Sequence, residues 1–430
     1  MKVKTISPFT ILFSSIAVFI FGVIVLFNSK FITTLTLGMI SLYLLIIGVL
    51  HISTYIFNRK STMLGKLSLG ILYLILSLSI KFHPEFFRIS AVRIIGIYAF
   101  LNFLALITST LILYKNKVKG WMSGLFVSII SLVFSGVLLF HPQKYMLFVS
   151  KLAGIYVILY SLTLFADFLK EISDENIVPY KLTRKFRIGL PLLYSAFIPQ
   201  KLLEKVNEFI KLESNKNTLI ENKDIINKNK IYSTVDIFIH LAPDCANGFG
   251  HIDISFENTT YSYGTYDSSS NRLFTLVSSG VLIEVETKKY IEILNTQFNR
   301  SLIGFTLALT KEQHNLIKDS INKIKYNCYE WKCPAQLNPT LDYKDETNIM
   351  YREANCKYYK FKSGYFKTYF TLTANCVKLA DTIVGTAGLD LLSVNGIITP
   401  GTYYNYLDTL FKRKNTIVIK KKIFKKQINN

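Results

Sequence analysis

Four stretches in the first 143 residues carry no charged side chain: Thr5 to Ser29, Phe31 to Asn58, Ile94 to Tyr114 and Gly120 to Gln143. Each is long enough to cross a hydrocarbon core of about 30 Å as a helix. A helix pairs its own backbone groups, which is what a chain surrounded by lipid requires. Two shorter runs, Leu67 to Ile80 and Leu152 to Ala166, reach spanning length if Lys66, Lys81 and Lys151 extend to the headgroups. The pattern predicts six membrane helices within residues 1–170. The first apolar run is too long for a cleaved signal peptide, and no small-residue cleavage site follows it.

Lys and Arg outnumber Asp and Glu by 50 to 28, for a net charge of +22. Such an excess in a soluble protein points to nucleic acid, but here no basic run is interleaved with stacking aromatics, so nucleic-acid binding is excluded. The bilayer accounts for the charge, because cytoplasmic loops are enriched in Lys and Arg. One side of the predicted bundle has Lys2, Lys4, Arg59, Lys60, Lys66, Lys115, Lys117, Lys119 and Lys170, followed by Lys181, Arg184, Lys185 and Arg187. The other has Lys30, Lys81, Arg88, Arg93, Lys144 and Lys151. The richer side carries both termini. The chain is therefore expected to be a multi-pass plasma-membrane protein with both termini and its soluble domain in the cytoplasm.

The membrane region repeats. Gly38, Gly96 and Gly154 lie 58 residues apart, and Phe82-His83-Pro84 recurs in the same register as Phe140-His141-Pro142. Three helical hairpins follow, each with a glycine where helices approach closely. The His-Pro pairs read as helix ends. This three-hairpin pattern over residues 6–170 resembles the HdeD-type six-helix membrane proteins, and the resemblance implies a link to acid resistance.

Residues 171–231 form a connector. Arg187 to Pro199 is apolar, too short to span and broken by proline, and is expected to lie in the interface. Lys201 to Leu212 has the periodicity of an amphipathic helix. Ser214 to Lys230, rich in Asn and Lys, reads as a solvated linker.

From 232 to 430 the pattern changes to short alternating runs at Thr234–Leu241, His251–Phe256, Thr260–Tyr263, Gly280–Glu286, Leu302–Leu309 and Tyr365–Leu372. Helical segments are predicted at Lys311–Ile324, Asn375–Val384 and Pro400–Phe411, with a basic tail after them. This is an α+β domain. Within it, Cys376 opens a helix whose dipole favours a thiolate, and His251 opens a strand. Together they have the chemistry of a thiol nucleophile and its general base.

The order of parts, histidine strand before cysteine helix, resembles the circularly permuted papain-like enzymes, including NlpC-, LRAT-, YiiX- and Lnb-like proteins. The matching segments are Gly250-His251, Tyr261-Ser262-Tyr263-Gly264, Thr310 to Gln313, Asn375-Cys376 and Thr399-Pro400-Gly401-Thr402. The resemblance implies Cys376 as nucleophile and His251 as base. It also implies a polar orienting residue on the next strand, where the chain offers Tyr263 and Asp267. Asp253, two residues from His251 on the same strand face, is a further option.

No cofactor or metal site is predicted. Cys328-x4-Cys333 with Cys356 lacks a partner pair to complete a zinc site. His240 and His314 read as structural. The chain is expected to be a membrane-anchored cysteine hydrolase or acyltransferase. Its partners would be the lipid bilayer and a lipid, acylated or peptide substrate with an amide or ester bond. The alternative is a non-enzymatic stress-linked membrane protein whose soluble domain binds a partner. Oligomeric state is left open.

Overall fold

The computed structural model describes residues 7–57, 64–172, 218–222, 231–241, 250–298, 300–340, 344–385, 400–413 and 416–424. They form an apolar all-α region followed by an antiparallel sheet domain. Two compact units result, one of Leu12–Ile107 and Met122–Phe165, the other of Met1–Ile11, Thr108–Trp121 and Ala166–Asn430.

The six predicted apolar runs are six helices: α1 (Pro8–Phe27), α2 (Ser29–Phe57), α3 (Leu64–Phe82), α4 (Pro84–Lys115), α5 (Trp121–Phe140) and α6 (Pro142–Ile172). All are long and apolar enough to cross a membrane. Pro84 and Pro142 each open a helix directly after the histidine that ends the previous one, because proline needs no N–H in a first turn.

Inside the membrane unit, helices meet where side chains are missing. A Cβ on Gly154 of α6 would sit 2.7 Å from the backbone nitrogen of Leu26 in α1, and one on Gly96 of α4 would be 3.0 Å from Leu139 of α5. The repeat breaks at Gly38, which has nothing within 4 Å; α2 meets α3 instead through Gly48 and Gly70. Serine hydroxyls join the same pairs, Ser135 to the Gly96 carbonyl at 2.9 Å and Ser15 to the Ser161 carbonyl at 3.2 Å. Replacing Gly154 with leucine is therefore expected to force α1 and α6 apart and cost about 1–3 kcal/mol. Thermal unfolding in detergent checks this against Gly38→Leu, which has room and is expected to be near neutral.

The second unit is built on a nine-stranded antiparallel sheet in the order β1-β11-β7-β2-β3-β4-β6-β9-β8. The strands are β1 (Thr218–Asn222), β2 (Ser233–Leu241), β3 (Ile252–Phe256), β4 (Thr259–Gly264), β5 (Val277–Ser279), β6 (Val281–Glu286), β7 (Ser301–Leu309), β8 (Cys328–Glu330), β9 (Lys357–Phe361), β10 (Thr368–Phe370) and β11 (Val418–Phe424). Strands β5 and β10 pair separately.

Both sheet faces are covered. Ile252, Ile254 and Phe256 of β3 and Ile303, Phe305 and Leu307 of β7 share one core with the helices Lys311–Tyr326, Cys376–Val384 and Pro400–Lys412. Val281, Ile283 and Leu302 on the other side pack with Tyr290, Ile293 and Leu294 of the helix Thr287–Thr296 and with Met350. Each fully buried aliphatic or aromatic side chain contributes about 1.5–3 kcal/mol.

Three expectations are corrected. Residues 218–222, read as solvated linker, pair as a strand with β11. Residues 418–424 of the basic tail form a sheet strand. Its run of three lysines hides the alternation, yet Lys421 is held by Asp408 at 2.7 Å and Lys422 by Asp236 at 2.8 Å. Tyr365–Leu372 is not one strand: Tyr365–Lys367 is a 3-10 turn, and only Thr368–Phe370 pairs. The interfacial segment 187–199 and the amphipathic helix 201–212 lie outside the described residues.

A candidate cysteine, histidine and aspartate site

Cys376 begins its helix because Asn375 caps it. The Asn375 side chain accepts from the Lys378 N–H at 3.0 Å and donates to the Thr371 carbonyl at 2.8 Å, which fixes the turn before the thiol. Val377, Leu379, Ala380, Ile383 and Val384 bury one helix face against the sheet, so the N-terminus cannot shift.

His251 stands one residue before β3. Gly250 lets this segment lie against β2: a Cβ there would be 2.7 Å from the His240 carbonyl oxygen, and the His240 N–H donates to the His251 carbonyl at 2.9 Å. The Cys376 charge bears on the His251 imidazole. The His251 Nε2 lies 2.8 Å from Ser262 Oγ and 3.0 Å from Asp253 Oδ1. The Asp253 contact is an ion pair by distance; Oδ1 has no hydrogen-bond partner among the described residues, and Nε2 pairs with the Ser262 hydroxyl. Ser262 in turn meets the Tyr266 hydroxyl at 2.7 Å.

The register explains this gathering. His240 of β2 stands opposite His251, and Phe238 opposite Asp253, while Asp253 continues the ladder to Ser262 on β4. Residues opposite one another share a face, so His240, His251, Asp253 and Ser262 all project the same way. The helix Thr287–Thr296 covers that face and contributes Tyr290, whose hydroxyl donates to Asp253 Oδ2 at 2.7 Å. His240 Nε2 donates to the same oxygen at 2.5 Å, while His240 Nδ1 has no partner.

The electrostatics follow from burial with paired charges. Burial works against the Asp253 carboxylate, but His251 and then His240 hold it far below its ordinary 3.8. Burial also works against a charged His251, yet the Cys376 thiol and Asp253 keep it well above its ordinary 6.5. Burial wins at His240, which is shifted below its ordinary 6.5 despite Asp253. Burial pushes the thiols of Cys328 and Cys356 up to about 12, so neither is a thiolate near neutral pH.

These shifts set a pH window. A raised His251 contributes stability that is fully present below pH 6.5 and is lost as pH rises through the raised value. A depressed Asp253 contributes stability present above 3.8 and lost only as pH falls through the lowered value. The stability gap between the parent and His251→Gln is therefore expected to be largest near about pH 6 and to shrink with alkalinity. Unfolding midpoints measured across pH for the two proteins check this.

Two residues expected at the site are placed elsewhere. The Tyr263 ring shares the core with Tyr369 and Phe366, and its hydroxyl donates to the Phe366 carbonyl at 2.9 Å, away from the imidazole. Asp267 is taken by Lys360 at 2.7 Å and by the Ser269 hydroxyl at 2.6 Å. The side chain behind His251 is Asp253, the option that strand periodicity alone offered. His240, read as structural, is a direct partner of Asp253, and its place opposite His251 was hidden because the β2–β3 pairing was not known. Tyr369, which burial and the neighbouring Cys376 shift well above its ordinary 10.0, carried no sequence signal.

Residues 13–82 match the family described as "Short repeat of unknown function (DUF308)". The match spans α1, α2 and α3 and agrees with the likeness of the hairpin repeat to HdeD-type membrane proteins. With the six apolar helices it marks the chain as a multi-pass membrane protein. No curated protein and no solved structure matches the chain.

Proposed function

We propose that the chain is a membrane-anchored cysteine hydrolase or acyltransferase. In this reading residues 1–170 anchor, 171–231 connect, and 232–430 form a permuted papain-like catalytic domain to which the strand at 218–222 is added. The observation that carries the reading is a thiol at the first position of a capped helix whose charge bears on His251, with buried Asp253 3.0 Å from the imidazole Nε2.

The Cys376 thiolate attacks the carbonyl carbon of an amide or ester, and the electron pair moves to the carbonyl oxygen. His251 gives its proton to the departing amine or alcohol as the intermediate collapses to a thioester. Water or an acceptor amine then attacks the thioester with His251 as base, releasing acid or transferring the acyl group and restoring the thiol. Asp253 holds the ring in position and stabilises its cationic form.

A thiol-directed activity probe applied to the reconstituted protein is expected to label Cys376 alone, since burial suppresses the thiolates of Cys328, Cys333 and Cys356. Even labelling over all five cysteines would overturn the enzyme reading in favour of a binding module. The richer basic flank supports a cytoplasmic position for the domain. A membrane-impermeant maleimide is accordingly expected to spare Cys376 in intact cells and to reach it after permeabilisation; rapid modification in intact cells would reverse the orientation.

A further inference from the structure

The tip between Arg272 and Val277 is closed by two backbone hydrogen bonds between those residues, at 2.8 and 3.2 Å. Leu273, Phe274 and Thr275 are all left-handed, with φ of 49°, 54° and 69°. A side chain at such a φ crowds the following carbonyl, so each position is strained. The strained tip presents apolar surface outward, with Phe274 98%, Leu273 63% and Leu276 42% exposed. Strain combined with an exposed apolar tip is the mark of a contact surface.

Its base leads to the thiol. The Thr371 N–H donates to the Leu276 carbonyl at 3.0 Å, and β5, which leaves the tip, pairs with β10, which carries Tyr369. Thr373, three residues before Cys376, meets Ser109 by hydroxyl contact at 3.0 Å, and Asn116 donates to Thr368 at 3.1 Å. Ser109 and Asn116 belong to the same compact unit as the sheet. Ser109 lies in the uncharged run that ends at Tyr114, and Lys115, Lys117 and Lys119 follow it. That change from apolar to basic is the signature of a membrane boundary. The strand beside the tip is therefore held against the segment Thr108–Trp121, with Arg272 exposed at the base of the tip and Lys367 exposed at the other end of the β5–β10 ribbon.

We propose that Leu273, Phe274 and Leu276 insert into the bilayer that holds the chain's own helices, with Arg272 and Lys367 against anionic headgroups.

The test uses the full chain in phosphatidylcholine–phosphatidylglycerol vesicles, comparing Phe274→Trp with the parent. Most of the emission added by the new indole is expected to be lost with brominated lipid and to resist aqueous iodide. Quenching by iodide but not by brominated lipid overturns the proposal, and so does shielding from both, which would mean a protein covers the tip.

Discussion

In the His251→Ala protein, labelling of Cys376 by a thiol-directed probe is expected to fall by about 10²–10⁴-fold, the range a positioned base supplies. Cys376→Ala should abolish it. The charge of His251 is favoured by both the thiol and Asp253. Without it the thiol keeps a helix N-terminus but loses its counter-ion in a site where Cys376 is only 4% exposed. A melting profile and far-UV spectrum unchanged from the parent show that the loss is chemical. A His251→Ala protein labelled at the parental rate would remove the imidazole from the chemistry.

Asp253→Ala is expected to cost about 3–5 kcal/mol, the loss seen when one partner of a buried ionic pair is deleted. The carboxylate is 1% exposed and faces His251, His240 and the Tyr290 hydroxyl, all of which would lose their acceptor or counter-charge. Asp253→Asn keeps the shape but sets an amide where two donors converge on Oδ2, so part of the loss should persist. Both variants are expected to slow Cys376 labelling, because a less favoured imidazolium holds less thiolate. Asp267→Asn is the comparison: that carboxylate pairs with Lys360 and does not touch the histidine, so labelling should be unchanged. Chemical denaturation and labelling rates on the three proteins separate the outcomes. An Asp253→Asn protein as reactive as the parent would leave Asp253 a purely structural role.

Much of the architecture was legible because the signals were local. Six uncharged runs gave six helices, and the Thr310 to Gln313 pattern closed as a reciprocal capping box. Pro400 opened the last helix as proline does. The candidate site was half legible: a cysteine after a capping Asn and a histidine before an alternating run are marks a few residues long. Asp253 could be offered only as one option, since strand periodicity says which residues share a face and not what lies across from them. The strands at 218–222 and 418–424 were missed for a related reason. Asn- and Lys-rich segments look solvated until their partners in the sheet are known.

The sequence by itself determined the apolar helices, the order of histidine before cysteine, and the local starts of the strand and helix that carry them. Those properties depend on hydropathy and on backbone groups within a few residues. Only the tertiary structure decided which polar groups meet. The pairing of β2 with β3 and of β3 with β4 sets His240, His251, Asp253 and Ser262 on one face, and a helix from elsewhere in the chain closes over them with Tyr290. Buried charges are tolerable only when paired, so the protonation states of this site belong to the assembled sheet and to no segment of the chain taken alone.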